Sequence, residues 1–146
     1  MVSAGRFMPL AESLGLSGLI DLRVLEMTLL TLQDHPEEKL ALNISGKTVN
    51  DREWLEYLFS FLSQNQNVAH RLMIEITETA ALHEVAETNR FVSVLHELGC
   101  QVAIDDFGAG YTSFTNLKNL EVDLVKIDGH FVEKMAQCKD DQFFVR

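Results

Sequence analysis

Gln101-Val-Ala-Ile-Asp-Asp-Phe-Gly-Ala-Gly-Tyr111 decides how the 146-residue chain is read. Val102 to Ile104 are a short apolar run, two adjacent carboxylates close it, and a glycine-containing loop follows. An apolar strand, a charged end and a turn open to unusual backbone shapes are the parts of a β-to-α connection. Three other segments have the same build: Leu40-Ala-Leu-Asn-Ile-Ser45, Arg71-Leu-Met-Ile-Glu-Ile-Thr77 and Asp123-Leu-Val-Lys-Ile-Asp128. Each is a buried-strand candidate with a polar terminus.

The stretches between them carry helical spacing. Leu19, Leu22, Leu25, Leu29 and Leu32 recur every three or four residues from Gly18 to Gln33, with Asp21 in the first turn and Asp34-His-Pro-Glu37 as the stop. Thr48 to Glu53 offers capping residues before Trp54, Leu55, Leu58, Phe59 and Leu62. Glu78 to Leu98 is predicted as one long helix ended by Gly99. Met1 to Ser13, with Gly5 and Pro9, is predicted as a loop entering a short helix at Leu10 to Leu14. Further helices are expected near Ser113 to Leu120 and from Phe131 onward.

A helix and then β-α four times over predicts an α/β fold of about four parallel strands with right-handed crossovers, their faces buried. An open doubly wound sheet or part of a (β/α)8 barrel satisfies this order.

With 12 Lys+Arg against 22 Asp+Glu the net charge is −10, so the chain lacks the basic face that holds DNA or RNA by charge. Cys100 and Cys138 show no CxxC spacing, which disfavours zinc and agrees with a reducing, cytoplasmic location. No apolar stretch approaches the roughly 20 residues that span a bilayer, so this segment is expected to make no membrane contact. The histidines His35, His70, His83, His96 and His130 do not pair at ligand spacing and are expected on the surface or satisfied in the core.

The polar residues fall at the C-terminal ends of the strands: Asn43, then Glu75 with Glu78, then Asp105 and Asp106, then Lys126 and Asp128. A parallel α/β fold brings those ends to one face. Carboxylates and an amide oxygen without His or Cys are ligands for Mg²⁺, Mn²⁺ or Ca²⁺. Adjacent Asp105 and Asp106 allow one carboxylate to bridge two ions and the other to complete the second shell. Two ions about 3.5–4 Å apart are a recurring means of cutting phosphodiesters. Each residue also has a plainer role open to it, Glu75 and Asp105 as caps, Glu78 as a helix cap, and Asn43 as a turn residue. Lys126 in an apolar run calls for carboxylate partners. Asp106-Phe-Gly-Ala-Gly-Tyr-Thr-Ser-Phe114 can start a helix with N–H groups facing an anion. Asp-Phe-Gly also occurs in protein kinases, but their other elements are missing here.

These motifs give the chain its likeness. Phe7-Met-Pro-Leu-Ala-Glu12, Leu42-Asn-Ile-Ser45, Ile74-Glu-Ile-Thr-Glu-Thr79, Ile104-Asp-Asp-Phe-Gly-Ala-Gly-Tyr111 and Val125-Lys-Ile-Asp128 resemble, in that order, the EAL-domain family of bacterial cyclic di-GMP phosphodiesterases. The resemblance implies a modified TIM-type (β/α)8 barrel and metal-assisted hydrolysis of the second messenger cyclic di-GMP to linear pGpG. It implies Asn43 and Glu75 as ligands of a first Mg²⁺ or Mn²⁺, Asp105 as a ligand shared by both ions and Asp106 as a ligand of the second. Lys126 looks like the lysine that contacts the hydrolytic water or the scissile phosphate. Glu78 resembles the residue that anchors the loop Phe107 to Ser113, which orders the metal site and a homodimer contact. Phe107, Gly108, Gly110, Tyr111 and Ser113, with Asp128, match the loop and substrate-side positions.

No Glu-Ala-Leu triplet occurs in the chain, and the family's later E-G-V-E and distal glutamine elements are missing too. Residues 1–146 are therefore expected to form the central part of a single EAL domain. That is about four of eight strands, weak or inactive alone and prone to pair with another copy. The alternative is a catalytically degenerate EAL module that serves as a cyclic di-GMP receptor or protein-interaction platform.

Overall fold

Leu42 and Ile44, then Leu72, Ile74 and Ile76, then Val102 and Ile104 alternate along three extended segments, so each set lies on one face of a sheet. The computed structural model describes residues 3–108 and 117–134. In it, helices α1 (Ala4–Ser13) and α2 (Ser17–Asp34) precede strand β1 (Leu40–Ile44). A 3₁₀ turn (Thr48–Asn50), α3 (Arg52–Gln64) and α4 (Gln66–Ala69) lead to β2 (Leu72–Thr77). Next come α5 (Glu78–His83), α6 (Val85–Glu97), β3 (Gln101–Phe107), β4 (Leu124–Ile127) and α7 (Gly129–Lys134). The four strands are parallel and lie in the order β1-β2-β3-β4.

Leu25, Leu29 and Leu32 of α2, Trp54, Leu58 and Leu62 of α3, and Phe91, Val92 and Leu95 of α6 bury against the alternating aliphatic face. Their burial supplies the main driving force, each large side chain contributing about 1.5–3 kcal/mol. The other face departs from the sequence expectation of strands buried on both sides. Ala41, Asn43, Thr77 and Gln101 on it are exposed. Among the described residues α2, α3 and α6 pack on the first face, and the interleaved residues of the other include buried Glu75 and Ala103 beside these exposed ones.

Two clamps, a buried one at Arg71 and an exposed one at Asp123, secure the N-terminal ends of the strands. Arg71, just ahead of β2, donates to the carbonyls of Leu32, His35, Glu38 and Asn67 at 2.7 to 3.1 Å, while its own carbonyl accepts from Leu40 N–H. It satisfies the orphan carbonyls at the end of α2 and ties them to the β1–β2 pair. Asp123 Oδ2 accepts from the Val102 amide at 2.7 Å and lies 2.9 Å from His96 Nε2. The amide bond and the neighbouring imidazole outweigh desolvation and hold the Asp123 carboxyl below the ordinary aspartate range.

Several boundaries differ from the sequence expectation. α1 begins at Ala4 and carries Pro9 inside it, because a proline there forfeits one helical hydrogen bond, the one to Gly5. The long helix predicted from Glu78 to Leu98 is broken at Glu84, whose φ of −141° is not helical. Thr88 Oγ1 donates to the Ala81 carbonyl across the break at 3.0 Å. Gly99, at φ +87°, ends α6 as predicted. Leu19 is exposed rather than core, since Leu25, Leu29 and Leu32 define the buried stripe. α4 was not anticipated, and β3 runs two residues further than predicted. The helix expected near Ser113 lies mainly outside the described residues. All five histidines are exposed.

Two outcomes are expected. Arg71→Lys cannot reach four carbonyls with one ammonium, so urea denaturation should show a loss of about 2–3 kcal/mol; an unchanged midpoint contradicts the clamp. Cys100 is buried, and burial pushes its thiol up to about 12. In a Cys138→Ser background it should resist a disulfide reagent at pH 8 until the protein is unfolded, and prompt labelling of the native protein would contradict its placement.

Candidate functional site

Parallel pairing places the polar strand ends side by side. Asn43 on β1 is in register with Glu75 on β2, and Thr77 on β2 with Asp105 on β3. Neighbouring parallel strands lie about 4.8 Å apart. Asn43, Glu75 and Asp105 alternate with core residues, so they share the sheet face that the helices leave open.

Lys126 of β4 reaches across this face. Its Nζ lies 2.8 Å from Glu75 Oε2 and 3.0 Å from Asp105 Oδ1, joining three strands through one ammonium. Hydrogen bonds to Glu75 and Asp105 push its pKa above the ordinary lysine value despite partial desolvation. Glu75 is buried and Asp105 half-buried.

Asp106 sits at φ +56°, the left-handed region, where β3 bulges between Ile104 and Phe107. Its amide donates to Asp105 Oδ1 at 3.0 Å and its side chain is exposed. Partial desolvation, then the charges of Asp105, Asp128 and Glu75, raise the Asp106 carboxyl above the ordinary aspartate value, with Lys126 opposing. Four carboxylates thus face one ammonium, and the excess negative charge is felt at Asp106. Asp128 Oδ1 accepts from the His130 amide at 2.7 Å, at the start of α7.

Glu78 is placed differently from the cap role its position allowed. Thr77 caps α5, its Oγ1 accepting from Ala80 N–H, while buried Glu78 reaches over to β3, where Oε2 accepts from Gly108 N–H at 2.8 Å. Gly108 is at φ +97°, so the first residue after β3 depends on glycine and on this carboxylate. Gly110, Tyr111 and Ser113 lie outside the described residues. Phe107 is buried at the end of β3.

The donors fit a hard divalent ion in kind, being amide and carboxylate oxygens on three adjacent strands next to uncompensated negative charge. As the side chains stand, no three His, Cys, Asp or Glu residues among those described surround one ion position, and Lys126 lies between Glu75 and Asp105.

A cavity of about 600 Å³ opens beside this cluster, lined by Glu12, Ser45, Asn50, Thr77 and Glu87 among others. None of Asn43, Glu75 or Asp105 lines it. Sequence reasoning missed a second feature at this end. Asp21 of α2 is buried and accepts from Ser45 N–H and Thr48 Oγ1. The available signal was that Asp21 falls on the same helical stripe as Leu25, Leu29 and Leu32, where a charge needs a partner.

Parallel strands with helices on one face and acidic residues at the strand ends define a segment of a (β/α)8-type barrel with a polar C-terminal rim. The chain belongs to the EAL domain family, whose model matches residues 1–146. It is 38% identical over 140 residues to the cyclic di-GMP phosphodiesterase PdeF of Escherichia coli strain K12, covering 93% of this chain and 19% of that protein. It is 31% identical over 150 residues to the probable cyclic di-GMP phosphodiesterase PdeA of the same strain, covering 100% of this chain and 21% of that one. The chain thus spans about a fifth of these relatives' length. The PaMucR phosphodiesterase in complex with c-di-GMP superposes with a TM-score of 0.82 at 30% identity over 99% of this chain and 60% of the other. The FimX EAL domain from Pseudomonas aeruginosa bound to c-di-GMP superposes at 0.87 with 29% identity, over 99% and 59%. Among the described residues no helix is long and apolar enough to cross a membrane.

The charge on Asp106 is testable. Because its folded pKa lies above the ordinary 3.8, the native state holds the proton more tightly, and stability falls as pH rises from 3.8 through the folded value. Asp106→Asn should raise the melting temperature at pH 7, and part of that gain should vanish below pH 3.8. A pH-independent gain would reflect only asparagine's tolerance of positive φ.

Proposed function

We propose that this chain carries the central part of a cyclic di-GMP phosphodiesterase site that hydrolyses one phosphodiester bond to give linear pGpG with Mg²⁺ or Mn²⁺. The observation that carries the reading is the register that sets Asn43 beside Glu75 and Thr77 beside Asp105, so that amide and carboxylate oxygens of three adjacent strands share one face. The named activity of relatives at 38% and 31% identity and the bound dinucleotide in two similar structures support it.

In this reading Asn43, Glu75 and Asp105 would hold a first ion, and Asp105 and Asp106 a second. Bound ions would supply Lewis acidity and a nucleophilic water near neutral pH. Lys126, kept charged by its carboxylate neighbours, donates to the hydrolytic water or to a scissile phosphate oxygen. Glu78 fixes Gly108, the first residue after β3, while Asp128 sets the end of β4 next to the site. Residues 1–146 act as part of a single EAL domain, in the cytoplasm and as a homodimer, with weak or no activity alone because an incomplete ion shell loses affinity and geometry together.

One observation favours a second reading. Lys126 already neutralises part of Glu75 and Asp105, as suits a metal-free receptor for cyclic di-GMP or an interaction platform. Calorimetric titration of cyclic di-GMP with and without Mg²⁺ separates the two, since only the phosphodiesterase reading makes binding depend on the ion.

The catalytic reading predicts that Asp105→Asn lowers Mn²⁺-dependent pGpG release by more than about 100-fold, measured by chromatography in the longest natural polypeptide that contains this sequence. Equal product from wild type and variant would sink it.

A further inference from the structure

We infer that Asp21 is a positioning residue for the rim, holding the exit of β1 so that Asn43 stays aligned with Glu75; this rests on the phosphodiesterase reading and deepens it. β1 ends at Ile44, and Ser45 N–H turns away from the sheet ladder. Asp21 Oδ2 accepts it at 2.9 Å, and Thr48 Oγ1 donates to the same oxygen. Ser45 Oγ lies 3.2 Å from Thr48 Oγ1, closing a three-residue network across α2, the β1 exit and the 3₁₀ turn.

Two of its members are desolvated, Asp21 being 4% exposed and Thr48 0%, while Ser45 is half-buried. A buried carboxylate met, among the described residues, by neutral donors is an expensive way to fill a helix position that leucine would fill well. What it provides is direction, because two donors from separate turns meet at one oxygen and fix the path on which the chain leaves β1. Ser45 is two residues beyond Asn43, and Asn43 stands on the open face without helices to pack it. A shift in the exit would swing the carboxamide relative to Glu75, its partner in register.

The contrast with the opposite end of the sheet is informative. Arg71 also gathers backbone groups, but at the N-terminal ends of the strands, far along β2 from Glu75. Losing Arg71 should cost stability without touching the rim, whereas losing Asp21 should disturb both.

Amide exchange of the chain, and Mn²⁺ titration of the longest natural polypeptide that contains this sequence, test this. In Asp21→Ala the Ser45 amide should exchange at least about tenfold faster while Ile74 and Ile76 are unchanged, and Mn²⁺ affinity should fall about 10–100-fold. Asp21→Asn, which keeps an oxygen acceptor, should restore part of both, and it carries the comparison if the alanine variant does not fold. Arg71→Lys should lower the melting temperature and leave Mn²⁺ affinity as it was. An unchanged Ser45 amide, or equal loss of affinity in Arg71→Lys, overturns the inference while leaving the rim reading in place. A wild-type full polypeptide that binds no Mn²⁺ at all sinks the rim reading and the inference with it.

Discussion

The ammonium of Lys126, shared between Glu75 and Asp105, is the interaction on which the acidic end of the sheet depends. Parallel strands deliver their C-terminal residues to one place, so carboxylates on β2 and β3 are forced into each other's field. Neighbouring like charges can be relieved by protonation, by a cation or by separation, and separation is closed to residues locked in strand register. This chain supplies a fixed cation from β4. That explains a lysine inside an otherwise apolar run, its raised pKa, and the remaining strain at Asp106, where charge exceeds what one ammonium offsets.

The two ends of the sheet divide the work of holding and doing. At the N-terminal ends Arg71 and Asp123 meet backbone groups with good geometry, and both contribute stability. At the C-terminal ends a backbone turn at positive φ, an exposed amide side chain and a surplus of carboxylates are features a purely structural sheet would avoid. Asp21 and Glu78 lie between these roles. Each is a buried carboxylate that accepts from the backbone of a chain leaving the sheet, Ser45 after β1 and Gly108 after β3.

Much of this was legible in the chain's own pattern. The four strands, the α2 and α3 helices and the glycine at Gly99 follow from periodicity and caps, because local burial and local backbone needs agree there. The carboxylate partners of Lys126 were legible because a lysine amid aliphatic residues has few other solutions. The break at Glu84 was not, since it is set by a tertiary bond from Thr88 to Ala81 rather than by a breaker residue. Pro9 misled by the same logic in reverse, as one missing hydrogen bond did not stop a helix. Glu78 was open between capping α5 and anchoring the next loop, and the choice turns on the proximity of Gly108, which is 30 residues away. Asp21 was seen as a helix-start charge, although its place on the Leu25 stripe marked it as buried.

Diffraction from crystals soaked in Mn²⁺, with data collected at the manganese edge, tests the central claim most directly. The account predicts an anomalous peak bounded by the side-chain oxygens of Asn43, Glu75, Asp105 and Asp106, with the Lys126 ammonium displaced from at least one of its carboxylates. Manganese found only elsewhere, with Lys126 still bridging Glu75 and Asp105 at full ion occupancy, would contradict it.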